Sequence, residues 1–225
     1  LADWAFASAG RQLKVWDKEG LRLTRLSLAL PFRHRLALPH MEQAVRDQIQ
    51  SEGFAPDRIV LDLQENLIAT DTRHSNADLM SLKATGIRLA LDGFGQGQIA
   101  FQNLCHGVLD SLKLAPGLCE GLPGAPPGER LIQALIDFGH GLDLTVSAKG
   151  TRDQRQFALL KRLGCDTVQL SAFPPMSAEG ATAWLRTIAE KPAVSGAKPL
   201  PSPEILVPKI TIRQERHQNV DPERS

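Results

Sequence analysis

The stretch Gly86-Ile87-Arg88-Leu89-Ala90-Leu91-Asp92-Gly93-Phe94-Gly95-Gln96-Gly97 joins an apolar strand to an acidic residue and then to a glycine-rich turn. In a parallel α/β protein, ligands sit at the carboxyl ends of the strands, because the loops that leave those ends are free to vary. Asp92 is therefore the first candidate for chemistry. An acid before a glycine-rich turn also occurs where the residues form only a turn, so the rest of the chain has to decide between the two.

The bulk composition narrows the class of protein. The chain has 225 residues, with 26 basic and 25 acidic side chains and a formal net charge of +1, which gives no electrostatic reason to expect nucleic acid as a partner. No apolar run approaches the roughly 20 residues that a membrane helix needs. We expect a cytoplasmic protein in which Cys105, Cys119 and Cys165 are reduced thiols, because they are odd in number and have no close paired spacing.

Strand and helix patterns alternate along the chain. Helices are predicted over residues 1–18, 39–50, 76–85, 100–105, 129–139, 153–163 and 178–189, and strands over residues 21–30, 58–63, 87–91, 108–114, 142–148 and 167–170. Residues 116–128 hold four glycines and four prolines and are predicted to form a loop. This alternation predicts a parallel sheet, either open or closed into a barrel.

The end of the chain has a different composition from the rest. Residues 1–190 are predicted to form one domain, whereas proline, serine, lysine and glutamate dominate residues 191–225, which predicts a mostly disordered tail. Within this tail, residues 205–212 alternate enough to form a strand if a sheet offers them an edge.

Polar side chains stand at the ends of the predicted strands. They are Asp62 with Glu65, Asp92, Lys113, Lys149 and Gln169. Acids, lysines and an amide that converge on one mouth could form a phosphate-binding or acid/base site. They could equally form a polar plug whose charges cancel, and the pattern alone leaves both interpretations open. No nucleophile constellation and no metal-spaced histidine pair accompanies them.

Four segments resemble, in order and spacing, the EAL domain, a barrel that hydrolyses the bacterial second messenger cyclic di-GMP with two metal ions. They are residues 59–66, 82–97, 109–114 and 142–169, which resemble in turn the Leu-Glu-x-Thr-Glu strand end, the Asp-Asp-Phe-Gly-x-Gly block, the strand of the family lysine, and the Ala-Glu-Gly-Val-Glu block through to the family glutamine. The resemblance covers roughly residues 1–186. It implies an α/β fold, a (β/α)8-type TIM-like barrel that is incomplete at the N-terminus, without the first strand and its Glu-Ala-Leu motif.

The chain departs from the family at the metal ligands. Ala29, or Ser27 if the register slips by two, stands where the family has asparagine, Asp62 replaces a glutamate, and Gly93 replaces the second acid of the Asp-Asp pair. Lys149 and Arg152 replace both glutamates of Ala-Glu-Gly-Val-Glu. Since an ammonium repels cations and neutralises carboxylates, we predict that Lys149 pairs with Asp92 or Asp62 and that neither Mg²⁺ nor Mn²⁺ binds.

These departures imply a catalytically inactive domain that acts as a regulatory protein-interaction scaffold in cyclic di-GMP signalling. The residues Gly93, Phe94, Gly95, Gln96 and Gly97 match the loop by which family members dimerise, so a homodimer or a protein partner is expected. Two alternatives stay open. One is a receptor that binds cyclic di-GMP through Asp92, Lys113, Lys149 and Gln169 without cutting it, although Phe173-Pro174-Pro175 lacks the arginine of the family's Phe-x-Arg-Pro. The other is a residual phosphodiesterase.

Overall fold

Six parallel strands form a single sheet in the computed structural model, which describes residues 2–21, 23, 25–29, 38–65, 72–96, 104, 107–124, 126–170 and 176–189. The strands are β1 (Leu26–Ala29), β2 (Ile59–Gln64), β3 (Arg88–Phe94), β4 (Ser111–Leu114), β5 (Thr145–Thr151) and β6 (Thr167–Leu170), and they lie in sequence order. Each is parallel to its neighbour. The parallel pairing is what the alternation of strand and helix predicts, and the sheet is a half-barrel.

In the described part of the chain, seven complete α-helices accompany the sheet. They are α1 (Ala2–Lys18), α2 (Leu38–Glu52), α3 (Thr72–Ala84), α4 (Pro116–Cys119), α5 (Pro126–Gly141), α6 (Gln154–Arg162) and α7 (Ala178–Ala189), with a 3-10 turn at Pro56–Arg58. The α6 helix begins where its sequence requires, because Oδ1 of Asp153 accepts hydrogen bonds from the backbone N–H groups of Arg155 and Gln156. Among the described residues, no helix combines the length and apolar character of a membrane span.

The strands are buried on both faces, which is typical of a parallel sheet enclosed by helices. In β3, Leu89, Ala90 and Leu91 are all inaccessible to solvent. The helix layer packs closely on the sheet at Gly139, where a Cβ atom would lie 2.4 Å from Cγ2 of Val146. A side chain at position 139 would therefore push α5 off β5.

The first and last described helices contact each other although they are far apart in sequence. Nε1 of Trp16 donates to Oγ1 of Thr182 over 2.8 Å, and Arg186 pairs with Glu19 at 2.7 Å. Trp16 is completely buried, so this contact belongs to the core and not to the rim. It places α1 beside α7.

Several predicted boundaries are wrong. Residues 116–128 are not one loop, because α4 begins at Pro116 and α5 at Pro126, and proline suits the first turn of a helix, where its missing N–H costs nothing. The strand predicted to end at residue 91 continues to Phe94, and the one predicted to end at residue 148 continues to Thr151. The first strand, predicted over residues 21–30, begins only at Leu26 and is described to Ala29, whereas residues 22, 24 and 30 lie outside the described residues. The predicted helix over residues 100–105 and the tail at 191–225 lie outside the described residues, except for Leu104.

Candidate functional site

The parallel register brings the predicted polar residues to the same end of the sheet. Asp92 on β3 lies opposite Lys113 on β4, and Asp62 on β2 lies opposite Ala29 on β1. Lys149 follows on β5 and Gln169 on β6. Four charged side chains from four neighbouring strands therefore share one region, in which two carboxylates face two ammonium groups.

The first ion pair is buried and joins Lys113 to Asp62. Nζ of Lys113 lies 2.6 Å from Oδ1 of Asp62, and the two side chains are 8% and 7% exposed. The same ammonium donates to Oγ of Ser27 over 2.7 Å, and Ser27 in turn donates to Oδ1 of Asp62 over 3.3 Å. A buried charge has to be paired and hydrogen-bonded to be tolerated, and this triangle meets that requirement.

The second ion pair joins Lys149 to Asp92 and is present as the charge reversal in the sequence predicts. Nζ of Lys149 donates to both carboxylate oxygens of Asp92, over 2.6 and 2.9 Å. These side chains are 24% and 16% exposed, so the pair is more open to solvent than the first. The prediction named Asp92 or Asp62 as the partner, and the contact is to Asp92.

Each strand that carries a residue of the second ion pair contains a glycine next to that residue. The register of β3 shifts between Asp92 and Phe94, and Gly93 has a φ of +79°, so it is the extra residue of a bulge. The register of β5 shifts between Ala148 and Thr151, and Gly150 has a φ of +84°. At Gly150 a Cβ would also meet Pro116 at 2.7 Å. Glycine is required there for both reasons.

The remaining predicted residues take different positions. Glu65 is buried and Gln169 half-buried, whereas Arg152 points to the surface, where its guanidinium lies 2.8 Å from Oε1 of Glu120. Arg152 thus does not join the cluster.

The predicted dimerisation loop is described in part. Phe94 stacks on Phe138 with ring centroids 6.3 Å apart, and Gly95 and Gln96 are exposed. Gly97 lies outside the described residues. The loop is therefore attached to the core by Phe94 and open to solvent at Gly95 and Gln96.

Ser27 is the residue that sequence reasoning placed only as an alternative. The sequence favours Ala29 for the position of the family asparagine, yet Ser27 supplies the polar atom that contacts both Lys113 and Asp62. The alternation of side chains along a strand is the available signal, because Ser27 and Ala29 lie on the same face.

The donor set does not fit a pair of divalent cations. Magnesium and manganese require several hard oxygen ligands, but both oxygens of Asp92 accept from an ammonium. A cation bound to Asp92 would lie about 4 Å from Nζ of Lys149, where the repulsion of a divalent ion is about 8 kcal/mol at an effective dielectric constant of 20. In the part of the chain that the structure describes, no group of three or more His, Cys, Asp and Glu side chains could hold a metal ion.

The buried cysteines do not offer a nucleophile. Burial raises the pKa of the Cys119 thiol to about 11, and burial, with smaller effects from neighbouring groups, raises that of Cys165 to about 12. Sγ of Cys165 also lies 3.1 Å from the backbone carbonyl of Thr167. Both are packing residues at neutral pH.

Comparisons with known proteins agree with the fold. The cyclic di-GMP phosphodiesterase PA2567 of Pseudomonas aeruginosa is 27% identical over 83% of this chain and 32% of its own length. The solved EAL domain of Mycobacterium smegmatis DcpA superimposes with a TM-score of 0.73, at 21% identity, over 82% of this chain and 83% of that domain. The structure of the PaMucR phosphodiesterase in complex with c-di-GMP gives a TM-score of 0.64, at 25% identity, over 72% of this chain and 66% of that one.

The chain spans about a fifth to a third of the length of the curated relatives that it matches. The family model described as EAL domain matches residues 1–169, which include all six strands of the sheet except the last residue of β6. The chain belongs to the EAL domain family.

Proposed function

We propose that this chain is a catalytically inactive EAL domain that takes part in cyclic di-GMP signalling as a regulatory protein-interaction scaffold. One observation carries the proposal: both carboxylate oxygens of Asp92 accept hydrogen bonds from Lys149. Hydrolysis by a two-metal mechanism needs two cations held between carboxylates. Here each described acid of the pair Asp62 and Asp92 is neutralised by a lysine from the same sheet.

Hydrolysis of cyclic di-GMP tests the loss of activity. The natural full-length polypeptide is incubated with the nucleotide and either Mg²⁺ or Mn²⁺, with an active EAL phosphodiesterase as the positive control. We expect no turnover above the buffer blank, because the cluster cannot hold two cations. Turnover well above the blank with either metal would refute the proposal.

The scaffold role calls for a surface, and the exposed tip of the loop after β3 is the candidate. Gly95 and Gln96 are exposed while Phe94 is buried and stacked on Phe138, so the tip is presented from a fixed base. If the domain dimerises through this tip, light scattering should give a dimer mass that Gln96→Arg lowers to the monomer mass. An exposed residue elsewhere, in Lys161→Glu, serves as the control. A dimer that survives Gln96→Arg would count against this surface.

A second candidate function is a receptor that binds cyclic di-GMP without hydrolysing it. The observation that favours it is the pair of ammonium groups, since Lys113 and Lys149 could contact the phosphates in place of metal ions, and the PaMucR phosphodiesterase is a relative solved with c-di-GMP. Calorimetric titration in the presence of EDTA separates the two functions. Heat of binding that Lys149→Met abolishes would favour the receptor, and no heat would favour the scaffold.

A further inference from the structure

The transition from helix to strand has the same form before β1, β3 and β5. Each helix carries an ionisable side chain near its end, the residue three positions later has a positive φ, and the residue three positions after that is bound by the segment before the next strand. In chain order these sets are Asp17, Gly20 and Leu23, then Lys83, Gly86 and Leu89, and then His140, Asp143 and Val146. In each set the N–H of the second residue donates to the carbonyl of the first, over 2.9 to 3.1 Å. A left-handed residue after a helix is common, so the evidence for a repeat has to come from the contacts to the next strand.

The residue immediately before the next strand contacts the first and third members of each set. Its side chain pairs with the helix residue, as Arg58 with Asp17, Asp110 with Lys83, and Asp166 with His140. It also binds the backbone of the third member: Nη2 of Arg58 donates to the carbonyl of Leu23 over 2.8 Å, and Oδ2 of Asp110 and of Asp166 accepts the N–H of Leu89 and of Val146 over 2.8 and 2.7 Å. The residue types of the first set are reversed in charge, yet the same three positions are joined. We call these three contacts the amino-end pairs, because they lie where the strands begin.

The amino-end pairs divide the described sheet into three units of two strands, which are β1 with β2, β3 with β4, and β5 with β6. Each amino-end pair lies within one unit. The two ion pairs of the candidate site lie at the other end of the strands and join different units. Lys113 of the second unit contacts Asp62 of the first, and Lys149 of the third unit contacts Asp92 of the second.

We propose that the candidate site is also the joint between these units, so that separating Lys149 from Asp92 loosens the third unit from the second and leaves each unit intact. The two side chains are 24% and 16% exposed, so solvent screens this pair less than it screens a pair on the surface. At the amino end of the same boundary, the contact is neutral, because the N–H and hydroxyl of Thr145 donate to the carbonyl of Asp110 over 3.0 and 3.3 Å.

The joint gives the scaffold a means of regulation, and in that use it rests on the proposed function. Parts of a protein open separately where few interactions hold them to their neighbours. Any group that draws Lys149 away from Asp92 therefore changes the fit between two units before it unfolds either of them.

Native-state amide hydrogen exchange of the 225-residue chain, followed by NMR, tests the joint. Lys149→Met should speed the exchange of the amides that join β4 to β5 by about fivefold or more. It should leave the amide of Asp166, which joins β5 to β6, at the rate of the parent.

Two matched variants control for the loss of a basic side chain. Lys83→Met makes the same change in an amino-end pair of similar exposure, 34% and 18%, and should speed the amide of Asp110, which joins β3 to β4, without affecting those between β4 and β5. Arg152→Met removes a pair that is 62% and 55% exposed and should change neither set of amides.

Three results would overturn the proposal. The amides between β4 and β5 could keep the parent rate in Lys149→Met, all strand pairs could exchange faster by the same factor, or Lys83→Met could speed the β4 and β5 amides as much as Lys149→Met does. None of these measurements uses hydrolysis, cyclic di-GMP or a partner. The joint can therefore fail while the proposed function stands, and the proposed function can fail while the joint stands.

Discussion

Removing the ammonium of Lys113 should destabilise the fold strongly. The side chains of Lys113 and Asp62 are 8% and 7% exposed, so Lys113→Met leaves a buried carboxylate with Ser27 as its remaining hydrogen-bond donor in the triangle. Removing one partner of a buried ion pair costs about 3–5 kcal/mol, because the other charge loses its compensation. A small domain has about 5–15 kcal/mol of stability in total, so much of it would be lost.

Urea unfolding, followed by circular dichroism, measures this loss as a change in the free energy of unfolding at constant m-value. Lys113→Met combined with Asp62→Leu should recover most of it, because a buried ion pair can be replaced by apolar side chains at little cost. Arg152→Met is the control, since its pair with Glu120 is 62% and 55% exposed and should contribute less than about 1 kcal/mol. If Lys113→Met costs no more than this control, the argument from burial is refuted.

Two further predictions concern packing and the thiols. Gly139→Ala should lower the free energy of unfolding by about 1–3 kcal/mol, because its Cβ would lie 2.4 Å from Val146. Gly141→Ala in the same helix is the control and should leave the free energy of unfolding unchanged, because no atom lies within 4 Å of its Cβ. Equal effects of the two variants in urea unfolding would contradict this. In a Cys105→Ser background, iodoacetamide should alkylate Cys119 and Cys165 slowly at pH 8 in the native state and rapidly in urea, because burial raises their pKa values to about 11 and 12 from an ordinary 9.0. The folded state holds the two thiol protons up to a higher pH than the unfolded state does. Their contribution to the free energy of unfolding is therefore complete below pH 9 and is lost as the pH rises through about 11 and 12. A free energy of unfolding that rises over that interval would contradict this sign.

The overall architecture follows from patterns that are visible in the sequence. Apolar runs alternate with helical periodicities, and the structure pairs the resulting strands in the order in which they occur. The contact between Lys149 and Asp92 was also predictable, because a lysine at a ligand position of a carboxylate site has an obvious partner. To predict such an ion pair it is enough to know which opposite charges lie near the carboxyl ends of the strands.

The details of the site depend on distances that the sequence does not contain. The strands β3 and β5 continue past the predicted ends because bulges at Gly93 and near Gly150 keep them paired with their neighbours, and a bulge depends on the partner strand. Ser27 could be assigned only once β1 was in register with β2, since a shift of two residues exchanges it with Ala29. Prolines at positions 116 and 126 indicate a loop or a helix start equally well until the helix is seen.

The two ion pairs share an arrangement that explains how the cluster stays neutral. Asp62 on β2 pairs with Lys113 on β4, and Asp92 on β3 pairs with Lys149 on β5, so each bond passes over the intervening strand. In parallel barrels, alternate strands contribute side chains to the same interior layer, which places these partners face to face. The four charges of these two pairs sum to zero, and a divalent cation would have no net charge to neutralise.

Changing one of these charges should therefore restore metal binding before it restores any catalysis. Lys149→Glu removes the ammonium from Asp92 and changes the sum over the four positions from zero to −2, which equals the charge that one divalent cation neutralises. We expect Mn²⁺ to raise the melting temperature of this variant and to leave the parent unchanged, with about 2.7 kcal/mol of added stability at 100 times the Kd. Lys161→Glu, an exposed change of the same charge on α6, controls for nonspecific binding. An equal shift in both variants would show that the position of Lys149 is not what excludes the metal.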